Sequence, residues 1–137
     1  MTPDNKRPLH LETVRAVLTP ALELIEKPAC DDFYQKLDID HDGFKGHTLI
    51  SEHTFESAWG MWEMHPKGDE LVYLVEGDIT FVLRTGAGDQ RVRLDTPGQY
   101  VIVPKGTWHT AETHEKTRAL FITPGEGTQG GAEPPAR

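Results

Sequence analysis

A chain of 137 residues, 36% hydrophobic and 8% aromatic, is the size of one domain with one core, and it can fold without a disulfide or a structural metal. Its 14 Lys and Arg stand against 22 Asp and Glu, a net charge of −8 with no basic cluster, which disfavours nucleic acid and anionic membranes as partners. No run approaches the ~18 consecutive apolar residues of a membrane span, and MTPDNKRPLH lacks the apolar stretch of a signal peptide, so a soluble, cytoplasmic protein is expected.

In chain order, Leu9 to Leu18 mixes apolar and polar residues without turn signals and predicts a strand. The lone cysteine, Cys30, has no intramolecular partner and reads as a buried spectator. Between Pro28 and Leu37, Asp31 and Asp32 precede Phe33, Tyr34 and Leu37, which predicts a short helix with acids at its N-terminus. Asp38, Asp40, Asp42 and Gly43 match the opening of a calcium-binding EF-hand loop, but the twelfth position is Leu49, which cannot ligate calcium. A solvated acidic turn is the reading there.

From His47 the pattern changes to eight short β-rich runs: 47 to 53, 58 to 65, 70 to 76, 78 to 84, 91 to 94, 100 to 103, 107 to 112 and 118 to 123. Turn signals separate them at Pro66 to Asp69, Gly77-Asp78, Gly86 to Asp89, Thr96 to Gly98 and Pro104 to Gly106. So many short strands mean an all-β antiparallel sandwich or barrel. Past Thr123 the tail is Gly- and Pro-rich, with no aromatic or branched aliphatic residue, and is expected to be flexible.

Alternation along 58 to 65 puts Trp59, Met61, Glu63 and His65 on one side of a strand, with Trp62 and Met64 on the other. A four-residue turn then returns Glu70 beside Glu63 and His65. His109 follows the Pro104 to Gly106 turn, so a curled sheet would bring two imidazoles and two carboxylates together inside an apolar barrel. Buried there without a partner, the acids would each cost several kcal/mol, and a divalent cation removes that cost. The same residues on an open antiparallel face would simply be solvated.

The run EMHPKGDELVYLVEG, Glu63 to Gly77, resembles the first motif of the cupins, a His-x-His pair followed by Glu and then Gly. The run GQYVIVPKGTWH, Gly98 to His109, resembles their second motif, Gly, Pro-x-Gly and His. The resemblance implies an antiparallel double-stranded β-helix, the jelly-roll barrel of the family, over 47 to 123. Residues 1 to 46 become an N-terminal extension, with a strand and a short helix packing on that barrel, and 124 to 137 a flexible tail. It also implies one divalent metal ion, with His65, Glu70 and His109 at the ligand positions. Three positions depart from the pattern: Glu63 stands where the first His belongs, Ser57 replaces a Gly six residues before it, and Thr113 replaces a frequent Asn.

Two histidines and one carboxylate leave open positions on non-haem Fe(II), and adding Glu63 hardens the set, so Fe, Mn or Zn is favoured over Ni. Off the metal, Glu63 would be a general base. Trp59, Met61, Phe81, Trp108 and Phe121 are the candidate pocket residues. His10, His41, His47, His53 and His114 fit no ligand spacing and read as surface or turn residues, while Lys67 and Lys105 flank the motif turns. These features point to a small molecule turned over by dioxygenase-like or isomerase- or lyase-like chemistry, or else bound by a non-enzymatic sensor module. A homodimer is expected through an apolar face made of Trp62, Met64, Leu71, Tyr73 and Val75.

Overall fold

The computed structural model describes residues 7–134. Eleven strands and one helix follow in order: β1 (Val14–Leu18), β2 (Leu24–Pro28), α1 (Phe33–Asp40), β3 (Thr48–Phe55), β4 (Trp62–Met64), β5 (Glu70–Glu76), β6 (Ile79–Thr85), β7 (Gly88–Leu94), β8 (Tyr100–Val103), β9 (His109–Glu112), β10 (Thr117–Thr123) and β11 (Gln129–Gly131). They form a six-stranded sheet, β2-β1-β3-β10-β5-β8, and a five-stranded sheet, β11-β4-β9-β6-β7, with every pairing antiparallel. The expected all-β jelly roll with one short helix is what the chain adopts.

Alternation drives the packing. Glu70, Val72 and Leu74 of β5 point inward, with Leu71, Tyr73 and Val75 on the other side, and the inward set meets Ile79, Phe81 and Leu83 of β6 in the core between the sheets. A second, smaller core joins Val17 and Leu49 to Phe33 and Leu37, the i and i+4 positions of α1, and to Phe44. Thus α1 lies against the inner side of the β1-β3 end of the barrel. Asp32 stands at the N-cap of α1, but its carboxylate takes the Cys30 thiol at 3.4 Å and no helix amide. Among the described residues, no helix is long and apolar enough to cross a membrane.

Gly77 shows why one motif glycine is required. Its φ is +108°, and a Cβ there would lie 2.7 Å from the Thr117 Cα. Thr117 and Thr113 are both buried, and their hydroxyls hydrogen-bond each other and the Asp78 carbonyl, locking this corner. Thr113 therefore fills its position as a buried cross-link between turns.

Several expectations need correction. The run 58 to 65 is a strand only over 62–64, because Gly60 takes φ +75° and breaks the extension. The turn Pro66 to Asp69 does not close a hairpin: β4 pairs with β9 and β11 while β5 pairs with β10 and β8, so it carries the chain from one sheet to the other. For that reason Trp62 and Met64 do not share a face with Leu71, Tyr73 and Val75. The strand β2 has no alternation to reveal it, being an exposed edge strand. Cys30 is exposed. The tail is ordered well beyond Thr123, since Gln129, Gly130 and Gly131 pair with Met64, Glu63 and Trp62. Of the flexible tail expected over 124 to 137, residues 135–137 lie outside the described residues, as do 1–6 of the N-terminal extension.

Candidate metal centre

Four side chains meet where β4, β5 and β9 come together. Glu63 lies opposite His109 in the β4-β9 register, His65 follows β4, and Glu70 opens β5 after the crossing turn. Two hydrogen bonds donated by backbone amides tie the two motif turns together: the Lys105 amide donates to the Asp69 carboxylate at 2.7 Å, and the Gly106 amide to the His65 carbonyl at 2.9 Å. Glu63, His65 and His109 each offer a donor atom within 4.8 Å of the others. Glu70 lies closer still, its Oε1 3.2 Å from His109 Nε2 and its Oε2 3.4 Å from His65 Nε2.

The hydrogen bonds behind the imidazoles fix which nitrogen carries the proton. His109 Nδ1 faces the Thr107 carbonyl at 3.0 Å, a pure acceptor, so this nitrogen carries the hydrogen. His65 Nδ1 faces Thr128 Oγ1 at 2.8 Å, and that hydroxyl donates its own hydrogen to the Gly125 carbonyl at 2.9 Å, so it accepts from His65. In its neutral form each ring therefore turns a bare Nε2 lone pair toward the Glu70 carboxylate. Both Nε2 atoms and Glu70 Oε1 are buried without a hydrogen-bond partner among the described residues. Thr123 Oγ1 donates to Glu70 Oε2 at 2.6 Å, which supports the carboxylate from behind.

Lone pairs facing lone pairs in a dry pocket repel, and the arrangement calls for positive charge between them. Burial pushes the Glu70 carboxyl up, but hydrogen bonds and charge from His109 and His65 in their protonated forms outweigh this and hold it down at about 2. Burial pulls the His109 imidazole down, and Glu70 lifts it above its ordinary value. Glu63 moves the other way from Glu70, raised by desolvation and by the neighbouring Glu70 charge against the pull of the two histidines. A proton on one imidazole satisfies one Nε2 contact and leaves the other. Two protons would set two imidazolium rings 5.3 Å apart, whereas one divalent ion serves both nitrogens and both carboxylates.

The centre opens into a cavity of about 740 Å³ between the barrel mouth and α1. Glu63, His65 and Glu70 line one end; Trp59, Met61 and Phe121 form an apolar wall; Tyr34, Leu37 and Asp38 of α1 close another side; and Thr128 of the tail completes the rim. Desolvation, with the charges of Glu63 and Glu70 adding to it against that of Arg15, holds the Tyr34 phenol above its ordinary pKa. It is therefore a neutral donor.

The cupin domain family is matched over residues 52–124 of this chain, more than half its length and including all four clustered residues. The chain is a cupin. Solved structures similar to it include a cupin-2 domain containing protein from Shewanella frigidimarina, 25% identical over 56% of this chain and 70% of that one, with a TM-score of 0.49. A cupin superfamily protein from Desulfitobacterium hafniense is 23% identical over 56% and 65%, with a TM-score of 0.46. Hydroquinone 1,2-dioxygenase from Sphingomonas sp. is 18% identical over 56% and 58%, with a TM-score of 0.48. No curated protein matches the chain.

Within this cupin the expected pocket is redrawn in part. Trp59, Met61 and Phe121 line the cavity. Phe81 does not; it is fully buried behind Trp59, edge-on at 5.7 Å, where it fills the core. Trp108 also stays off the lining, since β9 begins one residue later and alternation turns His109 inward. His53, read as a surface residue, is half-buried and lines the cavity: on β3 it shares the inward face of Leu49 and Ser51, an alternation visible in LISEH. His41 is also half-buried, its ring 4.9 Å from that of His47. Tyr34 and Thr128 belong to the site but lie outside the matched domain, where motif spacing gives no signal.

Proposed function

We propose that this cupin binds one divalent metal through His65, Glu70 and His109, with Glu63 as a fourth ligand, and acts on a small organic molecule held in the adjoining cavity. The observation that carries this reading is the pair of bare, buried Nε2 atoms turned on one carboxylate. Two nitrogens and two carboxylate oxygens suit Fe(II), Mn(II) or Zn(II) better than a soft metal. Such an ion supplies Lewis-acid polarisation of a substrate oxygen, and with iron also activation of dioxygen, so dioxygenase-like chemistry goes with iron and isomerase- or lyase-like chemistry with Mn or Zn.

The residues of the chain do the rest. Glu70 and the two imidazoles hold their positions through Thr123, Thr107 and Thr128. Trp59 and Phe121 exclude water from one side of the cavity. Glu63, with its side chain 35% exposed, is the clustered group that faces the open space most.

Elemental analysis of protein purified without chelator or nickel resin tests this. About one metal per chain is expected, and His109→Ala should lose it along with the thermal stabilisation that the metal gives. Metal far below one per chain, with His109→Ala changing neither metal content nor Tm, overturns the assignment.

A further inference from the structure

The charges around the cavity are one-sided. Asp38 and Glu56 stand at its mouth and Glu63 and Glu70 at its inner end, while among the described residues no lysine or arginine lines it. The lining histidine away from the centre, His53, is kept below its ordinary pKa by burial and by Arg15, so it adds no charge near neutrality. Lys67 and Lys105, which flank the motif turns, are both exposed and off the lining. If Glu63 and Glu70 share a divalent ion, as proposed above, the two carboxylates cancel its charge, and the centre has no net attraction for an anion. The remaining charges at the cavity are then the acids at its mouth.

The walls have a shape preference as well. Trp59 packs against Phe55 with ring centroids 5.7 Å apart and against Phe121 at 6.1 Å, giving an aromatic surface close to the centre. Tyr34 and Ser51, also on the lining, carry neutral hydroxyls that can hydrogen-bond a ligand. A cavity of this volume, walled partly by aromatic rings and partly by polar side chains, is of the size that encloses a small organic ligand.

We infer that the cavity selects a neutral or cationic, ring-bearing small molecule and rejects carboxylate and phosphate compounds of the same size. The competing feature is Arg15, whose guanidinium stacks on Phe33 at 4.5 Å and whose Nε is buried without a hydrogen-bond partner among the described residues. It lies off the lining, and the two mouth carboxylates outnumber it.

Three probes of equal size and different charge test this inference: benzyl alcohol, benzylammonium and benzoate, titrated by calorimetry and by Trp fluorescence into the metal-free protein and into protein loaded with redox-inactive Zn(II). Benzoate should bind weakest in both states, by about tenfold or more, the scale of one or two unit charges acting across partly screened space. Asp38→Asn with Glu56→Gln, both at exposed positions, should narrow that gap. Benzoate binding as tightly as the others, or no binding by any of the three, overturns the inference. If the benzoate preference vanishes in Arg15→Met, the guanidinium is an anion anchor; if it appears only with Zn(II), the ion is. Should the protein hold no metal, the metal assignment fails on its own, and the probe order in metal-free protein still decides the charge selectivity.

Discussion

Thr128 Oγ1 accepts the Nδ1 hydrogen of His65 at 2.8 Å, so a residue of the C-terminal tail sets the direction of a candidate metal ligand on the barrel. The tail strand β11 delivers it by pairing with β4, the strand that carries Glu63. Hydrogen bonds of this kind fix the tautomer and orientation of a ligating imidazole, and their loss costs about 10- to 100-fold in metal affinity. Thr128→Val keeps the shape and removes the acceptor; Thr128→Ser keeps the acceptor. The Val variant should weaken metal binding by that factor, measured by competition with a chelator dye, while the Ser variant retains it and both keep the metal-free Tm. Equal affinities in the two variants would reduce Thr128 to a rim residue.

Gly77 predicts a stability effect with no role for the metal. With φ at +108° and backbone atoms of Lys116 and Thr117 within 2.8 Å of where a Cβ would sit, Gly77→Ala meets both conformational strain and a clash with atoms that cannot rotate away. The loss should be at least about 2 kcal/mol by denaturant unfolding. Gly43→Ala is the contrast: φ is +70° but nothing lies within 4 Å of the new Cβ, so only the left-handed backbone cost of about 1–2 kcal/mol remains. Equal losses at the two positions would remove the clash from the account.

What the sequence revealed, and what it hid, follows from the range over which each signal acts. Strands such as 70–76 and 100–103 were legible because inward and outward residues alternate without interruption. The four clustered residues were legible because a turn of fixed length precedes each of the later two. Thr128 was not: it meets His65 across 63 positions, and a Gly-rich stretch carries no periodicity that announces a strand. Phe81 reads as a pocket residue from sequence because composition cannot say which of two touching aromatics faces the cavity and which fills the core behind it. His53 was recoverable from its alternation with Leu49 and Ser51, but a single histidine with no ligand spacing gave no reason to apply it.

The outer side of the six-stranded sheet carries an apolar patch in register. Tyr73 lies opposite Leu120 on one side and Tyr100 on the other, and Leu71 lies between Ile122 and Ile102. Tyr73, Tyr100 and Ile102 are 40%, 56% and 52% exposed, and α1 packs on the inner side of the sheet, leaving them uncovered. The strand β8 is also an unpaired edge. We expect a homodimer through this face, with Leu71, Tyr73 and Val75 contributing and Trp62 and Met64 not. Light scattering at micromolar concentration should give twice the chain mass, and Tyr100→Lys with Ile102→Glu should halve it without unfolding the barrel. A wild-type monomer at that concentration defeats the expectation.

Glu63 is the position that gives this centre its character. Its carboxylate stands where an imidazole would leave the metal one positive charge richer, and its Oε2 is 3.9 Å from His65 Nε2, the same nitrogen that faces Glu70. Desolvation and the Glu70 charge raise its pKa, which makes the carboxylate more basic toward a cation and toward a substrate proton alike. Two substitutions separate these roles. Glu63→Gln preserves the shape and removes the charge: a ligand role predicts weaker metal binding, while a base role predicts retained metal and turnover lower by about 10²- to 10⁴-fold. Glu63→His adds a nitrogen donor, and a ligand role predicts a shift of preference toward Ni(II) or Zn(II) in competition assays. Unchanged affinity, preference and turnover in both variants would place the Glu63 side chain outside the chemistry altogether.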